Sequence, residues 1–330
     1  MKHAFQILAV AFALAVAAAP AIARHTPRKP VQDMSTLFPA HVYVTLQSSN
    51  AVESLPTGKL SSSLPGAHYD AISPDGRLLL VSSKSLPDAY LVDARSGKKL
   101  AEFKIGPTAQ GVAISPDGRW GLAVSAGNGT VAVIDMKSRK LVKTIPVGKE
   151  PHNARFTADG KLAYVTLQGG GGVAVVDMRT LKKIDEFQVP GISAPHNLDL
   201  SADGGTLWIR GFNGKVAAVD LKSRKVLAVI PVGASHGGID VIPGGRYVFT
   251  GGIGGHEADV IDPATFKVVK RIDVGPGPHG VRASRDGRWV YVGVIGSAKV
   301  AVIDIRTLQV VKQIPTHGEV PFWIAVVGNE

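Results

Sequence analysis

The 330-residue chain contains no cysteine. This absence excludes disulfides, thiolate metal sites, cysteine nucleophiles and covalently attached c-type haem. Aromatic residues make up only 6% of the chain, and they are not interleaved with basic residues as in proteins that bind single-stranded nucleic acids. The sequence also has no G-x-S-x-G nucleophile elbow. No helix-period segment of useful length occurs after the first residues, so an all-β chain is expected.

Long apolar runs are equally scarce, and the one that exists spans Ala4 to Ala19. It is too short for a transmembrane span. The small-residue pattern Ala-Ile-Ala at 21–23 predicts a secretory signal peptide over residues 1–23. Because neither a twin arginine nor a lipobox cysteine accompanies it, we expect a soluble periplasmic protein. Residues 24–40 contain prolines and no periodicity, which predicts a flexible leader.

What the chain has in abundance is an internal repeat. Turns of the Asp-Gly type, with one Gly-Gly variant, recur at a nearly even spacing. They lie at Asp75-Gly76, Asp117-Gly118, Asp159-Gly160, Asp203-Gly204, Gly244-Gly245 and Asp286-Gly287. An aspartate that ends an apolar run follows each turn at an almost constant distance, at Asp93, Asp135, Asp177, Asp220, Asp262 and Asp304.

A period of about 40–45 residues with four strands per repeat predicts propeller blades, because a single four-stranded sheet buries both faces only between two neighbours. Seven first strands are expected to begin near His68, Gln110, His152, His196, His236, His279 and Phe322. The last of these has no strands after it, whereas residues 41–63 supply three strands with no first strand before them. We therefore predict a seven-bladed β-propeller over residues 41–330, closed by the C-terminal strand.

The repeat resembles a known family. The runs VYVTLQSSN from Val42, AYVTLQGGGG from Ala163, GPGPHGVRASRDGRWVYVG from Gly275 and VAVIDIRTLQVVKQIPT from Val300 are similar to the YVTN-type repeat of exported bacterial β-propellers. The resemblance covers nearly all of residues 41–330 and implies the propeller fold. It does not define an activity, because relatives include binding proteins, proteins of unknown role and cofactor-carrying enzymes.

The excess of basic residues indicates that an anionic partner is one option. Removing Lys2 with the signal peptide from the 37 Lys and Arg leaves 36 against 26 Asp and Glu, a net of about +10. These cations recur once or twice per repeat at predicted hairpins, as solubility alone would select. Nucleic-acid or polyanion binding is therefore not favoured.

Topology separates the turns onto two faces of the propeller. The repeated aspartates lie on the face that carries the turns between strands one and two and between strands three and four. There they are expected to cap their own turns by accepting backbone N–H groups. A calcium site needs several oxygen ligands at close spacing, so the capping role is preferred.

The opposite face collects histidines at the starts of the channel-lining strands. With two more on neighbouring loops, the predicted metal-ligating set is His68, His152, His196, His236, His256, His279 and His317. Imidazole groups without thiolates suit copper or zinc, and the arrangement is similar in kind to the histidine-ringed copper centre of nitrous oxide reductases. The alternative is that repeat copying has preserved one structural histidine. His152 and His196 share a Pro-His-Asn context and are the predicted pair, with Asn153 and Asn197 as partners of their second ring nitrogens.

Four charged residues of the first strands, Arg155, Asp199, Asp240 and Arg282, are expected at matching depth in the channel. Ion pairing between blades is the preferred interpretation, because an isolated buried charge is costly. The alternative is that an arginine near the channel mouth binds a carboxylate or phosphate.

Two classes of function remain. The first is a monomeric periplasmic binding or accessory protein that presents the histidine face to a small-molecule or metal ligand, or to a protein partner. The second is an enzyme of the propeller lactonase, isomerase or cofactor-dependent redox kind. In the second class, His256 and Glu257 would transfer protons while Arg155 or Arg282 holds an anion.

Overall fold

A computed structural model describes residues 34–61 and 63–329. The predicted signal peptide, residues 1–23, lies outside this part of the chain. The described residues form seven four-stranded antiparallel sheets arranged as a β-propeller. Among them, no helix combines the length and apolar character needed to cross a membrane.

The strands follow one another in chain order, four to a blade. Blade 1 contains β1 (Val42–Leu46), β2 (Ala51–Leu55) and β3 (Lys59–Ser61). Blade 2 contains β4 (Ala67–Ile72), β5 (Leu78–Ser83), β6 (Asp88–Asp93) and β7 (Lys99–Lys104). Blade 3 contains β8 (Ala109–Ile114), β9 (Trp120–Ser125), β10 (Thr130–Asp135) and β11 (Lys140–Pro146). Blade 4 contains β12 (Pro151–Phe156), β13 (Leu162–Leu167), β14 (Gly172–Asp177) and β15 (Lys182–Gln188).

Blade 5 contains β16 (Pro195–Leu200), β17 (Thr206–Gly211), β18 (Lys215–Asp220) and β19 (Val226–Pro231). Blade 6 contains β20 (Ile239–Val241), β21 (Val248–Thr250), β22 (Glu257–Asp262) and β23 (Lys267–Asp273). Blade 7 contains β24 (Pro278–Ala283), β25 (Trp289–Val294), β26 (Lys299–Asp304) and β27 (Gln309–Pro315). The last strand is β28 (Pro321–Val326), and the short helices are α1 (Met34–Leu37) and two 3-10 turns, Gln47–Ser49 and Ile295–Ser297.

The core is divided into seven layers between neighbouring blades. In the layer between blades 3 and 4, Val131 and Val133 of β10 share one buried cluster with Ala163 and Val165 of β13. The first three strands of a blade are therefore apolar on both faces, whereas fourth strands such as β15 expose most of their residues. This pattern explains why the sequence shows continuous apolar runs followed by a more polar fourth run.

Closure occurs where the sequence predicts it. Strand β28 pairs antiparallel with β1, with Val326 opposite Val42 and Ile324 opposite Val44, and it becomes the innermost strand of blade 1. Closure of this kind removes the open sheet edges of the first and last blades.

The expected leader ends earlier than predicted. Helix α1 and the residue after it pack against blade 7: Leu37 is fully buried, and the Phe38 ring stacks on Tyr291 at 5.3 Å. The Trp289 indole N–H donates to the Thr36 carbonyl at 2.8 Å. These contacts are formed with a distant blade, and no repeat pattern in residues 34–40 indicates them. The packed residues therefore begin by Met34 and not at residue 41.

The repeated aspartates hold their own turns, as predicted. Asp75 accepts hydrogen bonds from the Ser73 hydroxyl at 2.6 Å and the Arg77 backbone N–H at 3.0 Å. These bonds, led by the Ser73 hydroxyl, lower the pKa of Asp75. Asp93 likewise accepts the Ser96 backbone N–H at 2.7 Å. Equivalent bonds recur at Asp117, Asp135, Asp159, Asp177, Asp203, Asp220, Asp262, Asp286 and Asp304.

Candidate metal centre

A local irregularity turns one side chain per blade towards the channel. In six blades the pairing between first and second strands is interrupted just after the first strand begins. The residues at the interruptions are His68, Gln110, His152, His196, His279 and Phe322. A β-bulge re-aims the side chain at the irregular position. A residue with positive φ stands two positions earlier in each case, for example Ala194 (φ 48°) before His196.

Five of the seven predicted histidines meet at one mouth of the channel. Ring centroids are 3.6 Å apart for His152 and His196, 4.5 Å for His196 and His236, and 5.4 Å for His236 and His279. Phe322 continues the ring of aromatic groups, at 3.8 Å from His279 and 4.4 Å from His68. The five imidazoles therefore form one contiguous cluster.

His256 and His317 do not join this cluster, contrary to the expectation of seven histidines around one opening. His256, at the end of the loop before β22, and Glu257, the first residue of β22, are both exposed. His317 directs Nδ1 to a Glu53 carboxylate oxygen at 2.8 Å. That carboxylate also accepts the His317 backbone N–H at 2.8 Å. Two bonds to one buried carboxylate anchor His317 beside β2, away from the cluster.

Three of the clustered histidines are placed to share a metal ion. One ring nitrogen from each of His196, His236 and His279 lies within 4.8 Å of the others. Tetrahedral coordination with metal–nitrogen bonds of about 2.0–2.1 Å places such nitrogens about 3.3–3.4 Å apart. The trio does not include His152, which the sequence paired with His196; its third member, His236, comes from a loop and not from a strand.

Hydrogen bonds fix which nitrogens remain for a metal. The His279 Nδ1–H donates to the Phe322 carbonyl at 3.0 Å, so Nε2 carries the lone pair. His236 Nδ1 lies 3.1 Å from the Ser235 hydroxyl. Both ring nitrogens of His196 are buried and have no hydrogen-bond partner within the described chain. A buried polar ring without a partner costs free energy, and a bound metal would remove that cost.

Neither predicted asparagine bonds to a histidine ring: His152 has a backbone carbonyl as partner, and His196 has no hydrogen-bond partner in the described chain. His152 Nδ1–H donates to the His196 carbonyl at 3.2 Å. The Asn153 amide instead donates to the Asn197 side-chain oxygen at 2.7 Å, and the Asn197 amide donates to the Gly237 carbonyl at 2.7 Å. The asparagines therefore tie blades 4, 5 and 6 together below the histidines.

Burial keeps the cluster neutral. It is the largest cause that lowers the pKa of His68 to about 3 and of His236 to about 4. Burial also lowers the pKa of His152, His196 and His279 well below the ordinary value, with further contributions from neighbouring histidines. Neutral imidazole is the form that binds metals, so the cluster is ready to coordinate at neutral pH.

His68 has a different role, because both of its ring nitrogens are used. The Gln47 side-chain amide donates to His68 Nδ1 at 2.8 Å, and His68 Nε2–H donates to Oε1 of Gln110 at 3.2 Å. This chain of bonds links the first three blades at the channel mouth.

The neutral state of His68 predicts a stability change with pH. Its folded pKa of about 3 lies below the ordinary 6.5, so the unfolded chain takes up a proton that the folded chain refuses as the pH falls below about 6.5. At pH 4.5 we expect His68 alone to lower the free energy of unfolding by about 2–3 kcal/mol. Urea titrations at pH 7 and pH 4.5 measure this loss. The His68→Gln variant should lose less than the parent chain, while His41→Gln, at an exposed position, should follow the parent; equal losses in all three would contradict the assignment.

Blade 6 has a shorter first strand than the other blades, and His236 reaches the channel from the loop before it. Strand β20 begins only at Ile239, so His236 precedes the strand that was expected to start with it. The fully buried Arg210 donates to the Gly233 carbonyl at 2.5 Å and to the Ser235 carbonyl at 3.0 Å. Asp259 accepts the Gly233 backbone N–H at 2.5 Å. Arg210 and Asp259 thereby hold the loop that presents His236.

A cavity of about 310 Å³ opens above the cluster, and we name it the histidine cavity. Its lining residues are Gln47, His68, Lys84, Gln110, His152, Gln168, His196, Phe212, His236, Ile253, Ile295 and Phe322. Six of these, Gln47, Lys84, Gln168, Phe212, Ile253 and Ile295, come from the connections between second and third strands. Sequence reasoning missed Gln47, Lys84, Arg210 and Ile295. Gln47, Lys84 and Ile295 line the cavity. An alignment of the connections between second and third strands of all blades would have indicated these three positions.

The charged residues deeper in the channel pair with one another, as the preferred interpretation held. Arg155 Nε lies 3.1 Å from Asp199, and Arg282 Nη1 lies 2.7 Å from Asp240. The second Asp240 oxygen accepts the Ala283 backbone N–H at 2.7 Å. Burial raises the pKa of Asp240. Arg155 also lines a second cavity of about 290 Å³, so its ligand-binding role stays a prediction.

Comparison with known proteins supports the architecture. A family model described as the cytochrome D1 heme domain matches residues 203–321, about a third of the chain. No curated protein matches the sequence. A chain of Kuenenia stuttgartiensis hydrazine synthase superimposes with a TM-score of 0.73 at 23% identity, covering 81% of this chain and 91% of the other.

Two further solved structures are similar. A functionally unknown protein from Desulfotomaculum acetoxidans has a TM-score of 0.75 at 16% identity, covering 88% of this chain and 100% of the other. The dihydro-heme d1 dehydrogenase NirN, solved in complex with DHE, has a TM-score of 0.64 at 20% identity, covering 88% of this chain and 75% of the other. At these identities the similarity concerns the fold: the chain is a seven-bladed β-propeller with a partial match to the cytochrome D1 heme domain.

Proposed function

We propose that this protein is an exported metal-binding propeller whose copper or zinc ion is held by His196, His236 and His279 at the channel mouth. The observation that carries the proposal is the convergence of three ring nitrogens within 4.8 Å, one of them from a buried ring without any hydrogen-bond partner in the described chain. Three histidines leave a fourth coordination position for a small ligand, the arrangement of catalytic zinc sites. Export rests on the signal-peptide pattern of residues 1–23.

The donor set supports copper or zinc over harder cations. Neutral imidazoles suit zinc and copper, whereas magnesium, calcium and manganese prefer carboxylate and carbonyl oxygens. The described residues that line the histidine cavity include no carboxylate. A backbone carbonyl orients His279, and the loop held by Arg210 orients His236. Such outer partners contribute to metal affinity.

The family-model match raises a second candidate, a tetrapyrrole cofactor, because residues 203–321 include His236 and His279. The lining of the histidine cavity favours a metal ion over this group. The histidine cavity of about 310 Å³ lies at the lower end of the roughly 300–1,000 Å³ found for small-molecule sites. Lys84 is the one cation among its described lining residues to meet the carboxylates of a tetrapyrrole. The predicted proton-transfer residues His256 and Glu257 are exposed at the start of β22 and do not line the cavity.

Elemental analysis of protein purified without a nickel column tests the proposal. We expect about one copper or zinc ion per chain, as one trio of histidines provides. His196→Gln and His279→Gln should each weaken metal binding at least about 100-fold, because loss of a ligand exceeds the roughly 10–100-fold effect of losing an outer partner. His256→Gln is the matched control and should bind like the parent.

Thermal melts of the same variants separate loss of metal from loss of fold. Folded His196→Gln and His279→Gln variants with unchanged metal content would sink the proposal. Strong visible absorption of a macrocycle in the purified parent would decide for the tetrapyrrole.

A further inference from the structure

The environment of the candidate metal carries an excess of positive charge. Imidazole rings coordinate metals in their neutral form, so a divalent ion bound by three histidines would retain its full charge. The described residues lining the histidine cavity include Lys84 and no Asp or Glu. Burying a charge without a counter-charge costs several kcal/mol of free energy. A negatively charged ligand would therefore stabilise the bound metal ion, because the lining supplies no negative group.

We propose that the centre takes a small monovalent anion as its fourth ligand and that Lys84 attracts and holds this anion at the cavity mouth. The inference rests on the metal site proposed above and specifies the chemistry of the ligand it receives. An anion bound between the metal ion and the Lys84 ammonium would offset charge on both sides.

The loop that carries Lys84 is fixed in place. Its backbone N–H donates to the Gly66 carbonyl at 2.8 Å. The preceding Ser83 hydroxyl donates to the Pro65 carbonyl at 2.6 Å and accepts the Leu86 backbone N–H at 3.0 Å. The backbone of Lys84 is therefore anchored at the cavity, and its exposed side chain lines the opening.

The rest of the lining limits the size and type of ligand. Phe212, Ile253, Ile295 and Phe322 supply apolar walls, and three glutamines supply amide groups. A cavity of about 310 Å³ is at the lower end of the range for small-molecule sites, which suits an anion of a few non-hydrogen atoms. Amide N–H groups donate to anions, so the glutamines add polar contacts without adding charge.

Azide titration of the copper(II)-loaded protein tests the inference. Azide bound to copper(II) gives a charge-transfer absorption that reports coordination directly. We expect a saturable azide signal in the parent and affinity about tenfold weaker in Lys84→Met, since a nearby unit charge in a partly desolvated cavity contributes on this order. Lys84→Arg should retain most of the affinity. Lys137→Met, which removes a lysine from an exposed turn of blade 3, should bind azide like the parent.

Copper content is measured in every variant, so the two proposals fail separately. Absence of stoichiometric copper in the parent would reject both the metal site and the anion site. Normal copper with no azide signal in the parent would overturn the anion site alone, and so would equal azide affinities in the parent and Lys84→Met. Normal copper with weakened azide binding confined to Lys84→Met supports the inference.

Discussion

A chain shortened by residues 320–330 is expected to lose its cooperative thermal unfolding transition and to aggregate. The deletion removes β28, the innermost strand of blade 1, and with it Phe322, Trp323, Ile324 and Val326, all of which are buried. Burial of four large apolar side chains contributes about 6–12 kcal/mol, which is comparable with the whole stability of a domain, about 5–15 kcal/mol. Apolar faces of blades 2 and 7 would also become exposed, which promotes association.

A single substitution tests the same closure without shortening the chain. Ile324 is fully buried between blades 7 and 1, so Ile324→Asp places a carboxylate where no partner is available and should cost more than about 4 kcal/mol. Ile184→Asp is the matched control, because Ile184 is 56% exposed on β15 and surface changes usually stay within about 0.5 kcal/mol. Differential scanning calorimetry measures both. An unchanged melting transition in the truncated chain, or equal effects of the two substitutions, would mean that closure lies elsewhere.

The second large effect is expected from Asp240→Ala. This substitution removes the carboxylate that lies 2.7 Å from Arg282 and the acceptor of the Ala283 backbone N–H. Breaking one side of a buried ion pair costs about 3–5 kcal/mol, because the remaining charge stays desolvated. Urea unfolding at neutral pH should show a loss of this size.

An exposed pair of the same chemistry supplies the control. Asp185 lies 3.1 Å from Arg224, and the two side chains are 45% and 32% exposed. Asp185→Ala should therefore cost at most about 1 kcal/mol. Adding Arg282→Met to Asp240→Ala should recover part of the loss, since it also removes the buried guanidinium charge. If Asp240→Ala costs no more than Asp185→Ala, the channel pair does not hold the inner strands together.

The repeat pattern in the sequence determined the architecture. A blade-length period, four apolar runs per repeat and an unpaired first strand at Phe322 required seven blades closed by the C-terminal strand, because each sheet needs a neighbour on both faces. Antiparallel connectivity then placed the starts of the first strands on one face. This local rule explains why His68, His152, His196 and His279 could be assigned from the sequence to the channel mouth at which the structure places them.

Tertiary structure decided which of these residues act together. The positions of the β-bulges, and the late start of β20 at Ile239, bring His236 to His196 and His279 and leave His152 outside the trio. Contacts far apart in sequence, such as Arg210 with the Ser235 carbonyl and Glu53 with His317, set these positions. The repeat pattern of the sequence does not predict such contacts, because each depends on how neighbouring blades pack around the channel. The sequence therefore specified the propeller and its histidine face, and only the packing of the blades decided which three histidines converge.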